Sequence, residues 1–151
     1  MTDKMSYKSP VGDLVIEADE NGIVSLNWGS EKHSSKNKDL LETVKQLDEY
    51  FKGKRRDFDL PLSASGTDFS CNVWKEMLKI PYGKVIIYQD IAKALKSHPR
   101  AVGMACGRNP IPILIPCHRV VGKSGKLTGY SGGEGIKTKE KLLKLEGVKN
   151  A

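Results

Sequence analysis

Ser97-His98-Pro99-Arg100-Ala101-Val102-Gly103-Met104-Ala105-Cys106 is the stretch on which the reading of the fold turns. Ser97 is a good N-cap residue, and the fixed φ of Pro99 suits a first helical turn, so a helix is expected from here to about Asn109. Just upstream, residues 89–96 place Ile91, Ala92 and Leu95 at helical spacing and give a second short helix. Two short helices joined by a tight turn, the second opening on an arginine and lined with Ala and Gly, match a helix-turn-helix. Small residues on that helix allow close approach of a nucleic-acid backbone. A plain helical hairpin in an enzyme domain has the same pattern, and local spacing does not separate the two.

Downstream lies Ile113-Leu114-Ile115-Pro116-Cys117-His118-Arg119-Val120-Val121. Pro116 cannot donate a ladder hydrogen bond and pushes Ile115 toward an extended conformation, so the Cys–His pair is expected at the end of an extended core segment. A thiol at the mouth of a core with an imidazole beside it has the makings of an activated nucleophile, although a buried structural cysteine is the plain alternative. The glycine-rich stretch 122–133 is a long loop without P-loop spacing. The last helix, over residues 136–146, ends at Gly147 and carries Glu146 in its final turn, where the helix dipole opposes a carboxylate. Such a local inconsistency points to a role for Glu146. Cys117, His118 and Glu146 could then serve as nucleophile, base and orienter.

Working back toward the N-terminus, Thr67 or Asp68 caps a helix with Phe69, Val73, Trp74, Met77, Leu78 and Ile80 on its apolar stripe. Pro81-Tyr82-Gly83 ends it, and residues 85–88 are β-like. Residues 63–66 form a small-residue linker, which divides the chain into 1–62 and 63–151. Residues 5–28 alternate as a hairpin turning at 19–22, residues 39–52 are helical, and residues 57–60 suggest another strand. This portion shows no chemistry and is expected to act as support. The fold class is therefore α/β in the α+β sense: a small N-terminal α/β domain with an antiparallel sheet, then a mainly helical C-terminal domain containing the helix-turn-helix.

Charge separates the two portions. Residues 1–60 carry a balance of −2 and residues 61–151 one of +9, within a net +7 over 151 residues. A basic C-terminal portion is the footprint expected for a polyanion, most often nucleic acid. Three cysteines at irregular spacing make neither a disulfide framework nor a zinc knuckle. No apolar run approaches the roughly 20 residues that span a bilayer, and no signal-peptide core follows Met1. A cytoplasmic protein without bound metal or cofactor is expected.

The segment Pro116-Cys117-His118-Arg119-Val120 resembles the active-site signature of the O⁶-alkylguanine-DNA alkyltransferases. The resemblance extends over Gly66-Thr67-Asp68-Phe69, Val73-Trp74, Ile80-Pro81-Tyr82-Gly83, Tyr88-Gln89, Arg100-Ala101-Val102-Gly103, Asn109-Pro110, Tyr130-Ser131-Gly132-Gly133 and Leu145-Glu146-Gly147. It implies that Cys117 takes the alkyl group of O⁶-alkylguanine, and of O⁴-alkylthymine, and keeps it as a thioether. His118 would be the base through a water and Glu146 its partner, with Asn109 bracing the turn and Tyr88 helping to protonate the leaving guanine. Tyr130, Ser131, Gly132 and the Val120 carbonyl would hold the flipped base. Arg100 would replace it in the stack, and Ala101 and Arg119 would belong to the DNA-binding set. The implied partner is double-stranded DNA, entered through the minor groove by a monomer. Cys106 stands where relatives often carry a larger apolar residue and would bear on groove packing. The rival readings are a cysteine hydrolase, a non-catalytic sensor of alkylated DNA and a transcriptional regulator.

Overall fold

Strands β1 (Asp3–Ser9), β2 (Gly12–Asp19) and β3 (Gly22–Trp28) form an antiparallel meander in a computed structural model that describes residues 2–149. The hairpin expected over residues 5–28 is therefore the second of two. The first turn sits at Pro10-Val11, where Ser9 Oγ accepts from the Val11 amide at 3.1 Å and Gly12 adopts a φ of 116°. Leu14, Ile16 and Ala18 of β2 alternate into the core with Ile23 and Leu26 of β3, as a half-buried sheet requires. Helix α1 (Lys38–Phe51) covers this face with Leu40, Leu47 and Tyr50, all fully buried. Asn37 starts it, its Oδ1 accepting from the amides of Asp39 and Leu40.

Residues 57–60 do not form the expected strand. The side-chain amide of Gln46 takes up the backbone of Asp59, donating to its carbonyl at 3.1 Å and accepting from its amide at 2.9 Å. Only Leu62 bridges to the sheet, beside Ile23. A buried glutamine thus replaces the ladder partner that the alternation of Phe58 and Leu60 suggested.

Thr67 caps α2 (Asp68–Leu78), with its Oγ1 accepting from the Ser70 amide at 3.1 Å. Trp74 of α2 lies against Gly66, where a Cβ would come within 2.6 Å of the ring. Its indole donates to the Ala105 carbonyl at 2.9 Å and so ties α2 to α4 (Pro99–Gly107). Of the β-like residues 85–88 only β4 (Ile86–Ile87) is a strand, pairing in parallel with β5 (Val120–Val121), and Tyr88 already opens α3 (Tyr88–Ala94). The turn from α3 to α4 passes through Lys96 at φ 55°. His98 occupies the N-cap position expected for Ser97, without a side-chain cap bond, and the Ser97 amide closes the preceding turn by donating to the Ala92 carbonyl at 2.8 Å. Helix α4 stops at Gly107, two residues short of Asn109. Helix α5 (Ile136–Leu145) closes the chain, with Glu146 at its C-cap and Gly147 at φ 83°. Among the described residues no helix is long and apolar enough to cross a membrane.

Candidate active site

The segment before Cys117 is not extended. Ile113 has a φ of 75°, a left-handed conformation rarely taken by a β-branched residue, and the Ile115 amide donates back to the Ile111 carbonyl at 2.9 Å. Asn109 clamps this reversal from inside: its Nδ2 donates to the Ile115 carbonyl and its Oδ1 accepts from the Ile111 amide, each at 2.9 Å. Strain of this kind costs about 1–3 kcal/mol and persists where the surroundings over-determine it. Cys117, His118 and Arg119 then follow in a single 3₁₀ turn. Pro116 ends one backbone direction, and the turn throws three consecutive side chains into different neighbourhoods.

Glu146 anchors this arrangement. Its buried carboxylate accepts from His118 Nε2 at 2.8 Å, from Arg119 Nε and Nη2 at 2.8 and 3.0 Å, from the Tyr50 hydroxyl at 2.6 Å and from the Gly83 amide at 3.2 Å. Burial alone would raise its pKa, but hydrogen bonds led by those of His118 and Arg119 bring it down to about 2. Because a carboxylate only accepts, the His118 proton sits on Nε2, and Nδ1 is left with a lone pair and no protein partner. Burial holds the His118 pKa below its ordinary value against the pull of Glu146. The imidazole is thus neutral and basic at its free nitrogen. Arg119, grouped by sequence with the DNA-binding residues, turns inward instead: it is 6% exposed and also donates to the Ile80 carbonyl at 2.7 Å.

Cys117 is 8% exposed and lies on a cavity of about 410 Å³, together with Asn109, Tyr130, Ser131 and Gly132. Burial pushes the thiol pKa up, and the Asn109 amide and the Lys139 ammonium oppose that shift. The resting group is therefore a neutral thiol that needs a base. The Tyr130 hydroxyl is buried without a protein partner, while the half-buried Tyr88 hydroxyl donates to the Thr128 carbonyl at 3.3 Å. Cys106 lines the same cavity, with its thiol 3.7 Å from the sulfur of Met77; it faces inward, not toward a groove. Arg100 is exposed at the start of α4, and a Cβ on Gly103 or Gly107 would meet no atom within 4 Å. The outer face of α4 is open along its length, with Ala101 half-buried beside it.

Three participants were missed in the sequence. Lys139 is almost fully buried and donates from Nζ to the Val120 carbonyl at 2.6 Å and the Thr128 carbonyl at 2.7 Å, with its ammonium 5.8 Å from the centre of the Tyr88 ring. Its signal was legible: it precedes Leu142 by three residues and Leu143 by four, in phase with the apolar stripe of α5. Tyr50 and Trp28 come from the portion expected only to support. Tyr50 was hidden within the apolar stripe of α1, and its contact with Glu146 spans 96 residues. Trp28 reaches the cavity wall from the end of β3.

Two family models match the chain: the ribonuclease-like domain of 6-O-methylguanine DNA methyltransferase over residues 4–64 and its DNA binding domain over residues 68–148. The methylated-DNA–protein-cysteine methyltransferase of Metallosphaera sedula is 43% identical over 145 residues, covering 94% of this chain and 91% of its own. The protein of that name from Methanosarcina barkeri is 44% identical over 149 residues, covering 92% and 93%. The crystal structure of Mycobacterium tuberculosis O⁶-methylguanine methyltransferase superposes with a TM-score of 0.84 at 39% identity, covering 97% of this chain and 93% of that one. The same organism's OGT in complex with DNA gives 0.83 at 42% identity, covering 95% and 92%. On the sequence matches across nearly its whole length and the fold it shares with these structures, the chain belongs to the 6-O-methylguanine DNA methyltransferase family.

Proposed function

We infer that this protein repairs alkylated DNA by direct reversal, moving the alkyl group from guanine O⁶ to Cys117 once per molecule. The observation that carries the assignment of roles is the geometry of His118: a neutral imidazole pinned through Nε2 to a buried carboxylate, with Nδ1 unpartnered, on the residue that follows a buried neutral thiol in the chain. In the reaction the Cys117 sulfur forms a bond to the alkyl carbon as the carbon–O⁶ bond breaks. His118 takes the thiol proton at Nδ1, through a water, and Glu146 stabilises the imidazolium that results. The proton is returned to the guanine, with the Tyr88 hydroxyl on its path, so that guanine leaves neutral. The product is a thioether with no acyl carbon for water to attack, which makes the protein single-use.

A guanine within the duplex cannot reach a thiol at the base of a cavity, so the base must be flipped out. Arg100, exposed at the first turn of α4, fills the gap left in the stack, and Ala101 and the open glycine face admit the backbone. A minor-groove approach with phosphate contacts suits a repair protein that acts at any sequence. Tyr130, Ser131 and Gly132 border the base, and the Val120 carbonyl, which accepts from Lys139 with one lone pair, keeps the other for the guanine amine. Residues 63–151 carry this chemistry, residues 1–62 support it, and the protein acts as a monomer.

The test is intact-protein mass spectrometry after mixing with a duplex containing one O⁶-methylguanine. The expected result is a stoichiometric gain of one methyl group on Cys117, absent in Cys117→Ser, which still binds the duplex. An unmodified protein that binds the lesion would favour a sensor. Repeated turnover of an acyl substrate would favour a hydrolase.

A further inference from the structure

Part of the wall of the Cys117 cavity is built by Leu26, Asn27 and Trp28 at the end of β3, outside the portion that carries the thiol and the helix-turn-helix. Trp28 is the largest of these, and its ring is held on several sides. Nε1 donates to the Val11 carbonyl at 3.0 Å, across the first turn of the meander. The ring meets Tyr130 edge-on, with centroids 6.2 Å apart and planes at 86°. Gly132 lies so close that a Cβ there would come within 2.3 Å of the indole, and one on Gly133 within 2.8 Å. The β3 strand is in turn fastened to the active-site side by the Leu26 amide, which donates to the Pro110 carbonyl at 2.9 Å.

A hydrogen bond, an aromatic edge and two close glycines thus hold the indole in place. Rigid walls select by size, because a group that overfills the space must displace packed atoms, whereas a flexible wall would yield. Tyr130, which the ring supports, and Cys117 border the same space, so a transferred group lies between the sulfur and a boundary to which Trp28 contributes. We propose that Trp28 is a specificity-determining residue that limits the size of the alkyl group Cys117 accepts, admitting methyl and disfavouring groups as bulky as benzyl. This rests on the reading of Cys117 as the alkyl acceptor.

The test compares two duplexes of one sequence, carrying either O⁶-methylguanine or O⁶-benzylguanine, by the second-order rate at which the intact protein gains each group. The wild type should take methyl faster than benzyl. Trp28→Ala should raise the benzyl-to-methyl rate ratio by about tenfold or more, the scale on which apolar pockets discriminate by size. Trp28→Leu, which keeps more of the packing, should give an intermediate ratio and serves if the alanine variant does not fold. A merely structural role would slow both transfers together and leave the ratio unchanged. An unchanged or lower ratio in the variants, or a wild type that takes both groups equally fast, overturns the size limit while leaving the transfer reading intact. A wild type that gains neither group overturns both.

Discussion

Replacing Glu146 by glutamine removes one charge from the most heavily hydrogen-bonded side chain of the site and barely changes its shape. The carboxylate is buried, and its pKa falls from 4.5 to about 2 in the folded protein. A depression of that size corresponds to roughly 3 kcal/mol of stability at pH 7. Glu146→Gln also leaves Arg119, whose side chain is 7% exposed, as a buried cation without its counterion. Breaking a buried pair in this way costs about 3–5 kcal/mol, which is the loss expected at pH 7. The sign with pH follows from the depressed pKa. The carboxylate contributes fully above the ordinary carboxylate range, and its contribution is lost as pH falls toward 2. Glutamine has no such dependence, so the stability gap between wild type and variant should narrow steadily below pH 5. Urea unfolding followed by the fluorescence of Trp28 and Trp74 at several pH values between 7 and 3 measures both quantities. A gap under about 1 kcal/mol at pH 7, or one that stays constant with pH, would refute the assignment of Glu146 as the charged anchor of the site.

Two more outcomes are expected. Arg100→Ala should slow repair of O⁶-methylguanine in duplex DNA while affecting transfer from the free O⁶-methylguanine base much less; equal losses in the two kinetic assays would count against base replacement. Lys139→Met should shift the rising limb of the rate-against-pH profile to higher pH, since the ammonium opposes the rise in the Cys117 pKa caused by burial. Lys139→Arg should shift it less, and stopped-flow transfer measured from pH 6 to 9 separates the two.

Much of the molecule is legible in the sequence. Asn109, Tyr88 and Tyr130 were named through the family resemblance, whereas the apolar periodicities of α1, α2 and α5, Thr67 as a cap, Gly147 as a stop and the Cys117–His118 pair come from short-range patterns. These features are set by interactions within a few residues, which a linear reading captures. The errors have the same origin. Ser97 looked like a cap, but the turn after α3 runs through it and the N-cap of α4 falls one residue later at His98, and residues 57–60 looked like a strand until the Gln46 side chain took their backbone. The run before Pro116 looked extended, but Ile113 turns at a φ of 75° and Asn109 bends residues 111–115 back on themselves.

Sequence by itself singled out the residues proposed to carry the chemistry, a cysteine and a histidine side by side after Pro116 and a carboxylate set against its helix dipole, and the charge excess of residues 61–151 points to a polyanion. Tertiary structure alone decided which way Arg119 faces, that Lys139 is buried against two carbonyls, and that Tyr50 and Trp28 reach the site from the far end of the chain. The physical reason is that the energy of a buried charge or hydroxyl depends on which partners folding brings within about 3 Å of it, and those partners lie too far along the chain for any local pattern to name them.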